Sequence, residues 1–165
     1  MTANSNAECL TKWLQHVGDT SQAAQPLRAI VNQRLLRRLC DNCKVGYVPA
    51  DTARLRLPEG TELYRAGGQI QDRNKVIDCP VCRGGGYLGV TAIFEVVPIS
   101  DESRMAIVKG DLKGAMTIAR REKMVTLQEA AMRKAVSGET SIEEIGRILS
   151  PKKKAAKPAA SQQGA

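Results

Sequence analysis

Hydrophobic positions at the start of the chain recur with a helical period. In residues 5–18, Ala7, Leu10, Trp13, Leu14 and Val17 fall on one face. Ser5 followed three residues later by Glu8 is a capping-box pattern, and Gly18 suits the left-handed position that ends a helix. Asp19 and Thr20 start a second helix, which Pro26 either interrupts or follows by opening another as a first-turn residue. Leu27, Ile30 and Val31 continue the apolar stripe, and the run Arg34–Cys40 fits either a helix end or a short strand.

The pattern then changes. Residues 41–86 are rich in Gly, Pro and charge and show little periodicity, so they read as a loop-heavy stretch that needs a source of stability other than apolar burial. Residues 87–97 read as a strand or hairpin, because Tyr87, Val90, Thr91, Ile93, Phe94, Val96 and Val97 are β-branched or aromatic. Short helices follow in series, each with a start and a stop signal. Ser100 and Asp101 open one that Gly110 ends, and Asp111 opens another that runs to about Arg121. Thr126 with Glu129 boxes a third, which Gly138 ends. Ser141 with Glu144 boxes a fourth, whose stripe is Ile142, Ile145, Ile148 and Leu149 and which Pro151 terminates. Residues 150–165 hold too little apolar material to bury a core and read as a disordered basic tail.

Composition refines this picture. Aromatic residues are 3% of the 165, so the core must be aliphatic. No apolar run approaches the ~18 residues of a membrane-spanning helix, and the N-terminus lacks the basic-then-apolar pattern of a secretory signal. A cytoplasmic chain, at most peripheral to a membrane, is the expectation. Four lysines in the tail supply half of the net charge of +8. A nucleic-acid role would therefore rest on tail electrostatics, and no specific nucleic-acid partner is expected.

Candidate chemistry is concentrated in four of the five cysteines. Cys40-Asp-Asn-Cys43 and Cys79-Pro-Val-Cys82 are two C-x-x-C pairs separated by 35 residues. Two intervening residues let the backbone turn so that both thiolates face one ion, and two such knuckles complete a tetrahedral sulfur shell around Zn²⁺. Four sulfurs leave no open position for water, so the shell reads as structural. Four reduced thiols, a vacant site or rubredoxin-type iron are the alternatives. Gly46 and Gly84–Gly86 would allow the backbone close to the sulfurs. Cys9 reads as a small buried apolar residue, and His16 as a surface or capping residue. Asp101, Glu102, Glu143 and Glu144 sit in helix first turns, where they suit the dipole. No G-x-x-x-x-G-K-[ST] occurs, and Gly84–Gly86 precedes a strand rather than a helix, so no phosphate-cradling loop is present in these residues.

Several segments resemble one family. Asn32-Gln33-Arg34-Leu35-Leu36-Arg37-Arg38-Leu39-Cys40-Asp41-Asn42-Cys43 is similar to the "Q-R-L-hydrophobic-R-x-L-C-x-x-C" segment of type II secretion and type IV pilus assembly ATPases. Cys79-Pro80-Val81-Cys82-Arg83-Gly84-Gly85-Gly86-Tyr87-Leu88-Gly89 resembles their "C-P-x-C-x-G-x-G-Y-x-G", and Thr91–Val96 their following strand. Met124–Ile148 resembles their closing helix pair, and Ala3–Ala7 the residues after their histidine box. The likeness runs in order from about residue 3 to 149. Val90 stands where the family commonly has arginine, Ala92 where it has glycine, and the loop Gln69–Asp78 is longer than in many members.

The resemblance implies an α+β fold of mostly short helices with a small β element and a zinc-stapled loop region held by four cysteines, part of a P-loop secretion ATPase architecture without its nucleotide-binding core. It divides the chain into a RecA-like remnant (1–39), a four-cysteine zinc subdomain (40–89), a C-terminal strand and helical subdomain (90–149) and the tail. It implies a structural or interaction module with no nucleotide hydrolysis of its own, or else part of a motor whose Walker-containing portion lies upstream or on a separate chain. Implied partners are inner-membrane secretion or pilus platform proteins, a Walker-containing chain or further copies. ATP and Mg²⁺ enter only through the family and are not expected for this chain alone. A zinc-ribbon nucleic-acid or DnaJ-type chaperone module fits less well, since only Cys79–Gly86 matches C-x-x-C-x-G-x-G and tandem repeats are missing.

Overall fold

The computed structural model describes residue 3 and residues 5–150. The expected tail and its lysines lie outside the described residues. Helix α1 (Asn6–Val17) and the short α2 (Thr20–Ala24) open the fold. The Ser5 hydroxyl accepts from the Glu8 N–H at 3.2 Å, while the Glu8 carboxylate pairs with Lys12 one turn on. Trp13 donates its indole N–H to the Ala23 carbonyl at 3.1 Å, which ties α1 to α2. Cys9 is half-buried against the core, and His16 is exposed, as its place near a helix end implies.

The apolar stripe expected to continue as helix through Ile30 and Val31 is instead strand. β1 spans Ala29–Leu39 and pairs antiparallel with β6 (Tyr87–Pro98), from Ala29 opposite Pro98 to Leu39 opposite Tyr87. Ile30, Asn32 and Leu36 point inward, whereas Val31, Gln33 and Leu35 point outward, the period-two alternation of a half-covered ribbon. The 87–97 segment is one long strand whose partner is remote, not a local hairpin.

Two small ribbons structure the stretch expected as loop: β2 (Val45–Tyr47) with β3 (Leu63–Arg65), and β4 (Gln69–Asp72) with β5 (Lys75–Asp78). The β4–β5 turn uses Arg73 and Asn74 with φ of 42° and 66°, the paired left-handed geometry of a two-residue hairpin. Their strands carry few buried side chains.

Helices α3 (Asp101–Val108), α4 (Leu112–Arg121), α5 (Leu127–Val136) and α6 (Ile142–Leu149) follow the cap signals closely. Thr126 and Glu129 form the full box on α5. Ser100 is boxed by Ser103, a partner that the sequence pattern did not single out. Two apolar clusters lie against the inner face of the β1–β6 ribbon. Leu10, Ala24, Ile30, Val97, Ile99 and Ile107, with Ala115 and Ala119, make one, and Leu36, Leu63, Ile93, Ala131, Ala135 and Ile145 make the other.

Leu36 is fully buried and Leu35 is half-exposed on the opposite face. Leu36→Ala is expected to lower the unfolding free energy by about 3 kcal/mol. Leu35→Ala should change it by under about 0.5 kcal/mol. Urea denaturation of both variants in dilute solution checks the assignment of faces.

Candidate metal centre

Cys40 is the first residue past β1, and Gly86 the last before β6. The Cys40 N–H donates to the Gly86 carbonyl at 3.0 Å, so the chain leaves and re-enters the ribbon at one point. The first knuckle closes where Cys43 N and Lys44 N donate to the Cys40 carbonyl at 3.2 and 2.9 Å. The second closes where Gly84 N and Gly85 N donate to the carbonyls of Cys79 and Cys82 at 3.3 and 3.1 Å. Arg83 and Gly84 take left-handed φ of 53° and 78° there, and the glycine adopts that geometry without a Cβ clash. The β4–β5 hairpin delivers the second knuckle to the first: Cys79 N donates to the Gly68 carbonyl at 2.8 Å, and Gly68 N donates to Cys43 Sγ at 3.3 Å.

The four Sγ atoms of Cys40, Cys43, Cys79 and Cys82 lie within 4.8 Å of one another, three of the residues being buried. Cys40 and Cys79 Sγ are 3.9 Å apart, and Cys43 and Cys82 Sγ 3.6 Å apart. A tetrahedron with Zn–S of about 2.3 Å has S···S edges of about 3.8 Å, so the cluster has the dimensions of a zinc or iron tetrathiolate. N–H groups also point at the sulfurs: Asn42 Nδ2 donates to Cys79 Sγ at 3.3 Å and Gly86 N to Cys82 Sγ at 3.2 Å, besides Gly68 N to Cys43. Donors aimed at sulfur favour thiolate over thiol. The Asn42 hydrogen bond, followed by backbone N–H groups of the second knuckle, lowers the Cys79 thiol to about 6. Burial pushes Cys43 up to about 12 and also raises Cys40. Four thiolates held this close would repel each other, and a divalent cation at their centre would remove that conflict.

Gly68 is the glycine that serves the first pair. A Cβ on Gly68, at φ +80°, would lie 2.5 Å from the Gly84 carbonyl oxygen. Gly46, expected close to sulfur, instead sits in β2, where an added Cβ would meet Glu62 Oε1 at 2.3 Å.

A second polar centre joins this site to the helices. Glu144 is fully buried, and its carboxylate does not return to its own helix start, where the capping-box pattern placed it. It accepts from Arg37 N at 3.0 Å, Arg37 Nε at 2.9 Å and Nη2 at 2.7 Å, and from Arg147 Nε at 2.7 Å and Nη2 at 2.6 Å. The Arg37 guanidinium lies 4.1 Å from the Tyr87 ring centroid, and the Tyr87 hydroxyl is 2.8 Å from Ser141 Oγ at the α6 N-cap. Thr140 Oγ1 donates to the Arg37 carbonyl, and Leu39 N to the Glu139 carbonyl, both at 2.9 Å. Lys44, inside the first knuckle region, pairs with Asp41 at 2.6 Å and reaches the Gly138 carbonyl at 3.4 Å. The α5–α6 turn is thus bolted to the end of β1 from which the cysteines depart. Asp101, Glu102 and Glu143 are not buried, as expected of helix first turns. Among the described residues no helix is long and apolar enough to cross a membrane.

The sequence that forms this excursion and the helices closing it matches a known family. The profile of the type II/IV secretion system protein covers residues 1–147, and the chain belongs to that family. It is 34% identical over 149 residues to the type IV pilus assembly ATPase PilB of Thermus thermophilus, covering 86% of this chain and 16% of that protein. It is 34% identical over 124 residues to the type II secretion system protein E of Klebsiella pneumoniae, covering 74% of this chain and 23% of that protein. It is also 32% identical over 147 residues to PilB of Pseudomonas aeruginosa, covering 88% of this chain and 25% of that protein. The chain therefore spans a quarter or less of the length of these relatives.

Burial alone would raise the Glu144 carboxyl, but the Arg147 and Arg37 guanidinium groups and the Arg37 N–H outweigh it and hold it at about 2, against an ordinary 4.5. A depressed carboxyl stabilises the fold above its unfolded pKa, so this contribution is complete above about pH 5 and is lost as pH falls toward 2. It amounts to about 3 kcal/mol. Glu144→Gln should cost a similar amount near pH 7, about 3 kcal/mol, because two arginines lose their shared partner. Its stability should also fall less steeply than the wild type between about pH 5 and 2, as chemical denaturation across that range would reveal.

Proposed function

We propose that this chain is a zinc-binding structural and interaction module of a type II secretion or type IV pilus assembly ATPase, with no nucleotide hydrolysis by its own residues. The observation that carries this reading is the convergence of Cys40, Cys43, Cys79 and Cys82 Sγ within 4.8 Å, with N–H donors aimed at the sulfurs. Zn²⁺ would be held by those four thiolates as a closed shell, shaping residues 41–86 and presenting them as a rigid projection. Gly84–Gly86 leads into β6 rather than a helix, so it offers no N-terminal helix dipole to a phosphate.

The division proposed is 1–39 as RecA-like remnant, 40–89 as metal subdomain and 90–149 as C-terminal subdomain. The β1–β6 pairing crosses both boundaries, which favours transmission of force or position through one body. The proposed setting is the cytoplasmic face of the inner membrane, with platform proteins of a secretion or pilus machine as partners. A second reading, part of an ATP-driven motor completed by a Walker-containing portion, draws support from the relatives named as ATPases, of which the chain matches a quarter or less. A turnover assay with and without such a portion separates the two, since hydrolysis by this chain alone would contradict the first.

Metal analysis of purified, reduced protein is expected to give one zinc per chain and no iron. Cys79→Ser should release it and loosen residues 41–86 to proteolysis, leaving α3–α6 formed by circular dichroism. A metal-free protein whose 41–86 segment resists protease as well as before would overturn the reading.

A further inference from the structure

Three of the four clustered cysteines are closed to solvent. Cys40, Cys43 and Cys79 are 1%, 5% and 0% exposed, whereas Cys82 is only half-buried. Its neighbours Pro80, Val81, Arg83, Gly84 and Gly85 are all exposed, so the second knuckle forms the open rim of the cluster. A small solute therefore meets Cys82 before the other three. Gly86 N donates to Cys82 Sγ at 3.2 Å and anchors the position of that sulfur. Cys43 Sγ stands 3.6 Å from it, on the other knuckle. An accessible cysteine with a second, buried one poised beside it is the arrangement by which proteins respond to peroxide.

We infer that Cys82 is a site of oxidation by hydrogen peroxide, resolved by Cys43 into a disulfide that joins the two knuckles and displaces the cation. The Cys82 thiolate attacks one oxygen of the peroxide. The O–O bond breaks, hydroxide leaves, and Cys82 becomes a sulfenic acid. The Cys43 thiolate then attacks the Cys82 sulfur, so that an S–S bond forms as the S–O bond breaks and a second hydroxide leaves. Two electrons pass from the two sulfurs to the peroxide, and both hydroxides take up protons from water. The sulfurs have only to close from 3.6 Å to the ~2.0 Å of an S–S bond, a side-chain movement. Cys79 is engaged elsewhere: Asn42 Nδ2 of the first knuckle donates to its sulfur at 3.3 Å, and Cys40 Sγ faces it at 3.9 Å. Pairing across the knuckles is therefore favoured over pairing within one.

A shell of four thiolates loses two donors in this step, so a cation held there is set free, and a covalent bond takes over as the tie between the knuckles. The inference deepens the metal reading and rests on it for that release. The pairing of Cys43 with Cys82 follows from the sulfur positions alone. Cys9 supplies an internal control, because it too is half-buried yet packs against the helical core cluster and takes no part in the sulfur cluster.

The test treats the full chain, its zinc content measured beforehand, with hydrogen peroxide. Thiol titration, a chromogenic zinc chelator and peptide mass mapping without reductant follow the reaction. The expected result is the loss of two of the five thiols, release of the bound zinc in step with that loss, and one cross-link between the Cys43 and Cys82 peptides. A dithiol reductant with added zinc reverses all three changes, and Cys9→Ser gives the same cross-link. Thiols left intact with zinc retained overturn the inference. So does a cross-link within one knuckle or to Cys9, or zinc lost with no cross-link at all. A preparation without zinc at the outset counts against the metal reading instead, and the cross-link map of that metal-free chain still decides whether Cys43 resolves Cys82.

Discussion

The pairing of β1 with β6 is the constraint from which the rest of the structure is built. It joins residues as far apart as Ala29 and Pro98, and it returns the intervening excursion to its starting point at Cys40 and Gly86. Closing so long a segment is entropically unfavourable, but the penalty grows only with the logarithm of length. Once closed, the ribbon provides an inner face on which both apolar clusters form: Ile30 and Val97 anchor one, Leu36 and Ile93 the other. The helices then cover that face, each beginning at a side chain that satisfies its first N–H groups.

The excursion is organised by different chemistry. Its own buried cluster consists of Cys40, Cys43 and Cys79, with Cys82 and Ile70 against them. Among the described residues no aliphatic cluster lies between the two knuckles, so their mutual placement depends on sulfur and on the N–H groups that face it, and a cation held there would fix it further. The ties from this region to the α5–α6 turn, through Lys44, Leu39, Tyr87 and Arg37, mean that order among the cysteines and the seating of α6 are mechanically linked.

Helix boundaries were readable from the residues because capping is local: Thr126 and Glu129 are three positions apart and meet as their spacing implies. The cysteine spacing was readable for the same reason, each knuckle being a four-residue turn. β1 was not, since Leu35-Leu36-Arg37-Arg38-Leu39 fits a helical and a strand period alike, and the deciding partner lies in β6. Glu144 was misread because its position three after Ser141 is that of a capping-box acid. Of the two guanidinium groups it binds, that of Arg147 is three residues on, but that of Arg37 is 107 residues away and nothing local announces it. Gly68 carried no motif at all; its role follows from the β4–β5 hairpin, whose ends place it between Cys43 and Cys79.

That hairpin has an evolutionary consequence. Its ladder clamps Gln69 to Asp78 at the base, while its strands are almost wholly solvated and its tip is the Arg73–Asn74 turn. Residues added at the tip would lengthen the ribbon outward without shifting either knuckle, and doubling such a loop costs only about 0.6 kcal/mol. The distance along the chain between the cysteine pairs is therefore free to drift, or to be extended by engineering with an inserted epitope, while the sulfur geometry stays as it is.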